Sequence, residues 1–303
     1  MGLSVGIVGL PNVGKSTLFN AFCARRLAET APRPFTTIEP HEAVVPVPDE
    51  NLEKLAEVVA TSGESPSTSL GASKATPEVS VIPASVTFID IAGLVKGASQ
   101  GEGLGNQFLG KIREVDAVIH VVREFSDPQV VHVAGKIDPG QDLEIVNLEL
   151  ELGGIVGKPM LVVYNVDEKD IGKKGEGVYI CAKLEEELID LAPEERREYL
   201  PESGLEKLIQ RAYQLLGLIS FYTIKGGKEI HAWSLKDGKT AFDAAAEVHT
   251  DFAKNFIKAE VINVDELLSA GGWKEAREKG KVKLEGRDYI VKDGDVIEFK
   301  IGS

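Results

Sequence analysis

Two cysteines, two tryptophans and two methionines are all that 303 residues contain of these types. A pair of thiols, Cys23 and Cys181, cannot build a disulfide framework, and such sparing use of cysteine predicts a reducing, cytoplasmic compartment. No run approaches the roughly 20 apolar residues of a membrane span. The opening M-G-L-S-V-G-I-V-G has neither a basic segment nor an apolar stretch long enough for a secretory leader, so no membrane attachment is expected. Basic residues are also short, with 34 Lys+Arg against 48 Asp+Glu and a net charge of −14. Coating nucleic acid by bulk charge needs clustered Lys and Arg, which excludes that class for the chain as a whole. The deficit is uneven. Ile219–Ser303 holds 14 basic and 15 acidic residues, leaving 20 and 33 for the rest, so the near-neutral C-terminal part is the expected place for RNA contact. What is present, 43% hydrophobic and 27% charged residues, suits one large or two ordinary globular domains with a substantial core.

Short β-branched runs alternate with helical periodicity over the first two hundred residues. Leu3–Val8, Ala43–Val47, Val86–Ile91, Ala117–Val122 and Met160–Asn165 read as strands, and Lys15–Arg25 and Gly103–Arg113 as helices. Continuous apolar strands separated by helices predict an α/β domain with a mainly parallel sheet buried on both faces. Thr61–Ser80 is dense in Ser, Thr, Gly, Ala and Pro and reads as a mobile insertion. Glu185–Gln214 is helix-rich, with a start at Pro193. From about Ile219 the pattern turns β-rich around a single helix predicted over Ala241–Phe256. Strands are predicted at Phe221–Ile224, Ile230–Leu235, Val282–Leu284, Asp288–Val291 and Val296–Ile301. The expected organisation is an α/β P-loop NTPase domain over residues 1–217, then a small α+β domain of β-grasp kind over 218–303.

Gly9-Leu10-Pro11-Asn12-Val13-Gly14-Lys15-Ser16-Thr17 is a full phosphate-binding loop between a predicted strand and a predicted helix. Its backbone N–H groups, from Asn12 to Thr17, converge on phosphate oxygens, and the helix N-terminus adds partial positive charge. Lys15 is assigned to the β- and γ-phosphates, and the Ser16 hydroxyl to Mg2+. Pro34–Pro40 is the expected second loop, with Thr37 preferred over Thr36 as the metal ligand. Asp90-Ile91-Ala92-Gly93 ends a buried strand with the carboxylate expected to hold Mg2+ through water and the Gly93 amide expected to sense the γ-phosphate. Leu94 follows, where Ras-like GTPases carry the glutamine that orients water; leucine cannot do that. Guanine readers carry Asn-Lys-x-Asp, whereas this chain has Asn165-Val166-Asp167-Glu168. The longer carboxylate of Glu168 predicts ATP in preference to GTP. Cys181-Ala182-Lys183 takes the place of the Ser-Ala-Lys loop beside the base, with packing of a small thiol the plainer role for Cys181.

The chain resembles the YchF (Obg-like) ATPases, in the translation-factor-related class of P-loop GTPases. The likeness runs through Gly9–Asn20, Thr36–Pro40, Asp90–Ala98, Gly101–Leu109, His132–Pro139, Asn165–Glu168, Ile230–Trp233, His249–Phe252 and Asp293–Phe299. It implies an ATPase that tolerates GTP less well, a C-terminal TGS domain, and a ribosome or RNA partner. It also implies that His132 promotes hydrolysis in place of the missing glutamine. Alone, His132 reads as a surface loop residue without a role, and the missing glutamine together with the resemblance brings the two readings level. The family's coiled-coil arm has only Gly153–Gly157 in its place, around residues 152–158. The helix expected before Val178 is cut to Ile171–Gly177, below the dozen or so residues a parallel crossover needs. The protein is therefore trimmed at these points, or segments are absent from the chain; at the second point absent segments are the expectation, since so short a parallel crossover is hard to complete. In the C-terminal part, Trp233, His249 and Tyr289 are candidates for an RNA-facing surface. Lys279, Lys281 and Lys283 read as alternating along one strand, either on that surface or blunting a sheet edge. The preferred function is a magnesium-dependent ATPase switch. The alternatives are a GTP-specific ribosome-associated switch and a nucleotide-gated RNA- or ribosome-binding module with vestigial hydrolysis.

Overall fold

The computed structural model describes residues 3–29, 41–61, 79–91, 93 and 104–302. The chain runs β1 (Ser4–Val8), α1 (Lys15–Glu29), β2 (Glu42–Pro46), α2 (Glu50–Thr61), β3 (Ser80–Ile82), β4 (Ser85–Asp90), α3 (Leu104–Glu114) and β5 (Ala117–Arg123). It continues with α4 (Pro139–Leu152), β6 (Met160–Asn165), β7 (Val178–Ile180), α5 (Ala182–Glu187), α6 (Pro193–Tyr199) and α7 (Gly204–Leu215). Then come β8 (Leu218–Lys225), β9 (Glu229–Lys236), α8 (Ala241–Val248), α9 (Thr250–Lys254), β10 (Phe256–Asn263), α10 (Val264–Ala270), α11 (Trp273–Glu278), β11 (Lys283–Glu285) and β12 (Asp295–Ile301). No helix among the described residues is long and apolar enough to cross a membrane.

Two compact units result, one of residues 1–47 and 85–216, the other of 48–84 and 217–303. The first holds a six-stranded sheet of order β2-β4-β1-β5-β6-β7. It is parallel throughout except for the edge pair β2–β4. Every residue of β5 is buried, as a central strand covered on both faces requires. Phe22 of α1 stacks on Phe88 of β4 with ring centroids 4.0 Å apart, fixing that helix against the sheet. Asp138 caps α4 through the Gln141 amide, with Pro139 opening the helix, and Ser203 caps α7 through Glu206. The short link before β7 does complete a parallel crossover: residues 166–177 reach the strand with a single 3-10 turn, Glu168–Asp170, and no α-helix.

In the second unit the sheet order is β11-β10-β12-β8-β9-β3, with β12 and β8 parallel beside the β8–β9 hairpin. Phe221, Leu235, Phe256, Val261 and Ile297 close its core against the alanines of α8. Three expectations are corrected here. The insertion placed in the first domain belongs to the second unit, because β3 pairs with β9 and α2 buries Leu52, Leu55 and Val59. Asn51 and Asp49 share the Tyr222 hydroxyl, which donates to Asp49 at 2.8 Å; residues 62–78 of the insertion lie outside the described residues. The helix expected over Ala241–Phe256 breaks at His249, whose extended backbone (φ −166°, ψ 142°) ends α8 and whose Nδ1 accepts from the Asp251 amide to start α9. Asp288–Val291 forms only an isolated bridge, Thr240 to Ile290.

Candidate nucleotide site

The phosphate loop joins β1 to α1 and is shaped by tight backbone contacts. Gly14 sits at φ 96°, and a Cβ there would lie 2.2 Å from the Asn165 amide nitrogen; one at Gly9 would lie 2.4 Å from the Val121 carbonyl oxygen. Only glycine fits at either place. Asn12 takes the left-handed region at φ 65°, which asparagine tolerates. Val13 is buried, whereas Ser16 is exposed and Thr17 half-buried at the head of α1. Lys15 is buried and donates to the Leu10 carbonyl at 2.8 Å. Burial pushes its ammonium down to about 8, against the opposing pull of Asp90.

Asp90 ends β4 half-buried. Burial raises its carboxyl, while Lys15, His41 and Lys111 draw it back down. His41, at φ 80°, accepts the Asp90 amide with its carbonyl and brings its imidazole to 4.0 Å from the carboxylate. Gly93 is brought to the same place, for a Cβ built on it would sit 3.1 Å from the Lys15 ammonium and 3.5 Å from Pro11. The structure therefore gathers Lys15, Asp90 and Gly93 around one end of the parallel sheet. Thr36, Thr37 and Leu94 lie outside the described residues. Among the described residues no cluster of three or more His, Cys, Asp or Glu could hold a metal ion by itself. Mg2+ takes one or two protein oxygens and completes its shell with water and phosphate.

Asn165 is the brace of the base-side loops. Its amide nitrogen donates to the Val13 carbonyl and its oxygen accepts from the Ala182 amide, both at 3.0 Å, so the side chain ties the phosphate loop to the start of α5. Val166 is buried and donates its amide to Ile180, so its side chain packs in the core where guanine readers extend a lysine. Glu168 is exposed in the 3-10 turn, close enough to Cys181 for its charge to help raise the thiol, after burial itself. Cys181 is buried and precedes α5, in keeping with a packing role.

His132 is not on the surface. It is buried; Nδ1 accepts the Ala134 amide at 3.1 Å, which leaves Nε2 protonated and donating to Asp142 at 2.9 Å. The flanking Val131 and Val133 point outward, 74% and 53% exposed. The Asn12 amide donates to the Val131 carbonyl at 3.0 Å, so the histidine loop is tied to the phosphate loop. The loop is shaped from beneath by Arg123, which is buried, lies 4.4 Å over the Phe125 ring and donates to the carbonyls of Phe125, Asp127 and Val130. Arg123, Asp142 and His41 escaped the sequence reading. An arginine closing the buried strand Ala117–Val122, apolar but for His120, was the one available signal among them.

Comparison with known proteins gives the family. Residues 4–166 match the family model described as 50S ribosome-binding GTPase, and residues 218–302 match the YchF-GTPase_C model, described as a protein of unknown function. The chain is 38% identical to the ribosome-binding ATPase YchF of Bacillus subtilis, covering 99% of each chain, and 39% identical to that of Haemophilus influenzae with the same coverage. The chain belongs to the YchF family. A solved structure, that of the Schizosaccharomyces pombe YchF GTPase, superposes with a TM-score of 0.80 at 29% identity over 98% of this chain and 97% of that one. The alignment to the Bacillus YchF runs over 382 residues against 303 here, so at least 79 of its positions face gaps in this chain.

In the C-terminal unit the aromatic candidates are engaged by the fold. Trp233 stacks on His231 at 3.7 Å and donates to Thr223, while Tyr289 donates to Asp295. The three lysines do not share a strand: Lys283 opens β11, whereas Lys279 follows α11 and donates to the Ala270 carbonyl.

Proposed function

We propose that this chain is a magnesium-dependent ATPase switch that works in association with the ribosome in the cytoplasm. The observation that carries the reading is the gathering of Lys15, Asp90 and Gly93 beside an exposed Ser16 at the head of α1. Lys15 and the loop amides from Asn12 to Thr17 bind the triphosphate; Ser16 and Asp90, with Thr37, fit a magnesium ion by the hard oxygen chemistry it takes. When bound, the ion neutralises charge developing on the β- and γ-phosphates. The names of the YchF relatives, ribosome-binding ATPases, support both the reaction and the partner.

Adenine preference rests on the base-side loops. Asn165 is engaged by the protein, Val166 is core and the Glu168 carboxylate stands one methylene farther out than that of the aspartate guanine readers use. Competition between ATP and GTP for the purified protein tests this: ATP displaces GTP if the reading holds, and clear GTP preference replaces it with a GTP-specific switch. For hydrolysis, His132 is the candidate to orient water where Leu94 cannot. Both its ring nitrogens are engaged, so it acts only after giving up the Ala134 amide or Asp142. A His132→Ala variant is expected to bind ATP normally and hydrolyse it roughly a hundredfold more slowly. Hydrolysis at the parent rate would instead favour a nucleotide-gated binding module.

A further inference from the structure

The short crossover between β6 and β7 leaves a cavity of about 380 Å³ between the loop from Ile171 to Gly177 and the exposed face of α7. Its charge is opposite to that of the chain around it. Lys173, Lys174, Lys207 and Arg211 line it against a single acid, Glu202, within a stretch from Met1 to Leu218 that has 20 basic and 33 acidic residues. Lys173 is held by Glu124 at 3.7 Å and Asp170 at 3.5 Å. Lys174, Lys207 and Arg211 have no carboxylate partner among the described residues. All three are exposed, with Lys207 and Arg211 one turn apart on α7 and Lys174 facing them from the loop. The backbone N–H groups of Lys174, Gly175 and Glu176 donate to no protein acceptor among the described residues. Tyr179 forms part of the wall and is stacked against Tyr164 with ring centroids 4.9 Å apart.

Like charges gathered around a concavity repel one another and are not explained by folding. Three unpaired cations, free amide donors and an aromatic wall together match a short run of backbone phosphates, about one to each cation, with a neighbouring sugar and base. The site shares none of its lining with the residues that brace the phosphate loop or the base side. We propose that this cavity is an RNA-phosphodiester site, through which the first unit contacts a segment of ribosomal RNA. The inference rests on the ribosome association proposed above and adds where on the chain it is made. It also adds a contact on the first unit to the expectation that the near-neutral C-terminal part is the main place for RNA to touch.

The test is a combined Lys174→Glu, Lys207→Glu and Arg211→Glu variant, with a Lys174→Gln, Lys207→Gln and Arg211→Gln variant as the milder companion. Binding to purified ribosomes and to protein-free ribosomal RNA is measured across a salt series, with ATP binding as the check on folding. At about 0.7 counterions per single-strand phosphate contact, removing three contacts is expected to make the slope of log K against log salt shallower by about 2, with at least about tenfold weaker binding at low salt. ATP affinity stays at the parent value. An unchanged salt slope overturns the proposal. So does a loss on ribosomes with parent-like binding to protein-free RNA, which assigns the cavity to a ribosomal protein, or a fall in ATP affinity, which assigns it to the nucleotide site. Failure of the parent itself to bind ribosomes overturns the association on which the inference rests.

Discussion

The two units solve the burial problem in different ways. Among the described residues, the first buries Lys15, Arg25, His120, Arg123, His132, Asp142, Glu149, Asn165 and Glu185, whereas the second buries only Ser220 and Asp295 in that class. Among the described residues, both non-glycine positions with positive φ, Asn12 and His41, are also in the first. Polar groups taken out of water are costly unless paired. The second unit reads as a scaffold closed by phenylalanine and alanine, while the first carries charges, strained backbone and interlocked loops where an anionic ligand is to be bound.

That contrast is sharpened by substitutions, the largest first. Lys15→Ala is expected to remove ATP hydrolysis by roughly a thousandfold while the thermal transition of the ligand-free protein holds or rises, because the variant loses a buried ammonium rather than a packing group. A large loss of stability would show that Lys15 serves the fold. Asn165→Ala is expected to cost about 2–4 kcal/mol in denaturant unfolding, since it leaves the Val13 carbonyl and the Ala182 amide without partners, and to weaken ATP binding as the two loops part. His120 is fully buried on β5 with neither ring nitrogen hydrogen-bonded among the described residues, and burial, aided by Lys15, holds it down to about 4. Its folded form stays neutral where the unfolded form takes a proton, so stability is complete above about pH 6.5 and falls toward pH 4, by about 3 kcal/mol at most. His120→Leu should flatten that limb of the pH–stability curve; an unchanged curve would place the acid sensitivity elsewhere. The smallest effect is expected in the second unit, where Tyr222→Phe removes the hydroxyl shared by Asp49 and Asn51 and costs about 1 kcal/mol. A cost several times larger would show that the scaffold depends on polar pairing as much as the first unit does.

The sequence made these differences only partly legible. The phosphate loop could be read because its glycines answer to backbone geometry that no other residue meets, and the strands of the first sheet because continuous apolar runs have one meaning when helices separate them. What escaped was long-range pairing. Nothing local in Ser80–Ile82 says that it pairs with a strand nearly 150 residues later, and Asp142 looks like any acid in a helix's first turn until His132 is found 2.9 Å away. The break at His249 was hidden because the apolar period continues across it while the backbone does not.

The route of the chain through the second unit sets an order on its synthesis. β3 is made early, but its partner β9 emerges nearly 150 residues later, on the order of ten seconds at the usual pace of translation. During that interval the first unit can gather all but its last elements while α2 and β3 wait as an unsatisfied excursion from it. Only when the C-terminal strands arrive does that excursion acquire a sheet to join.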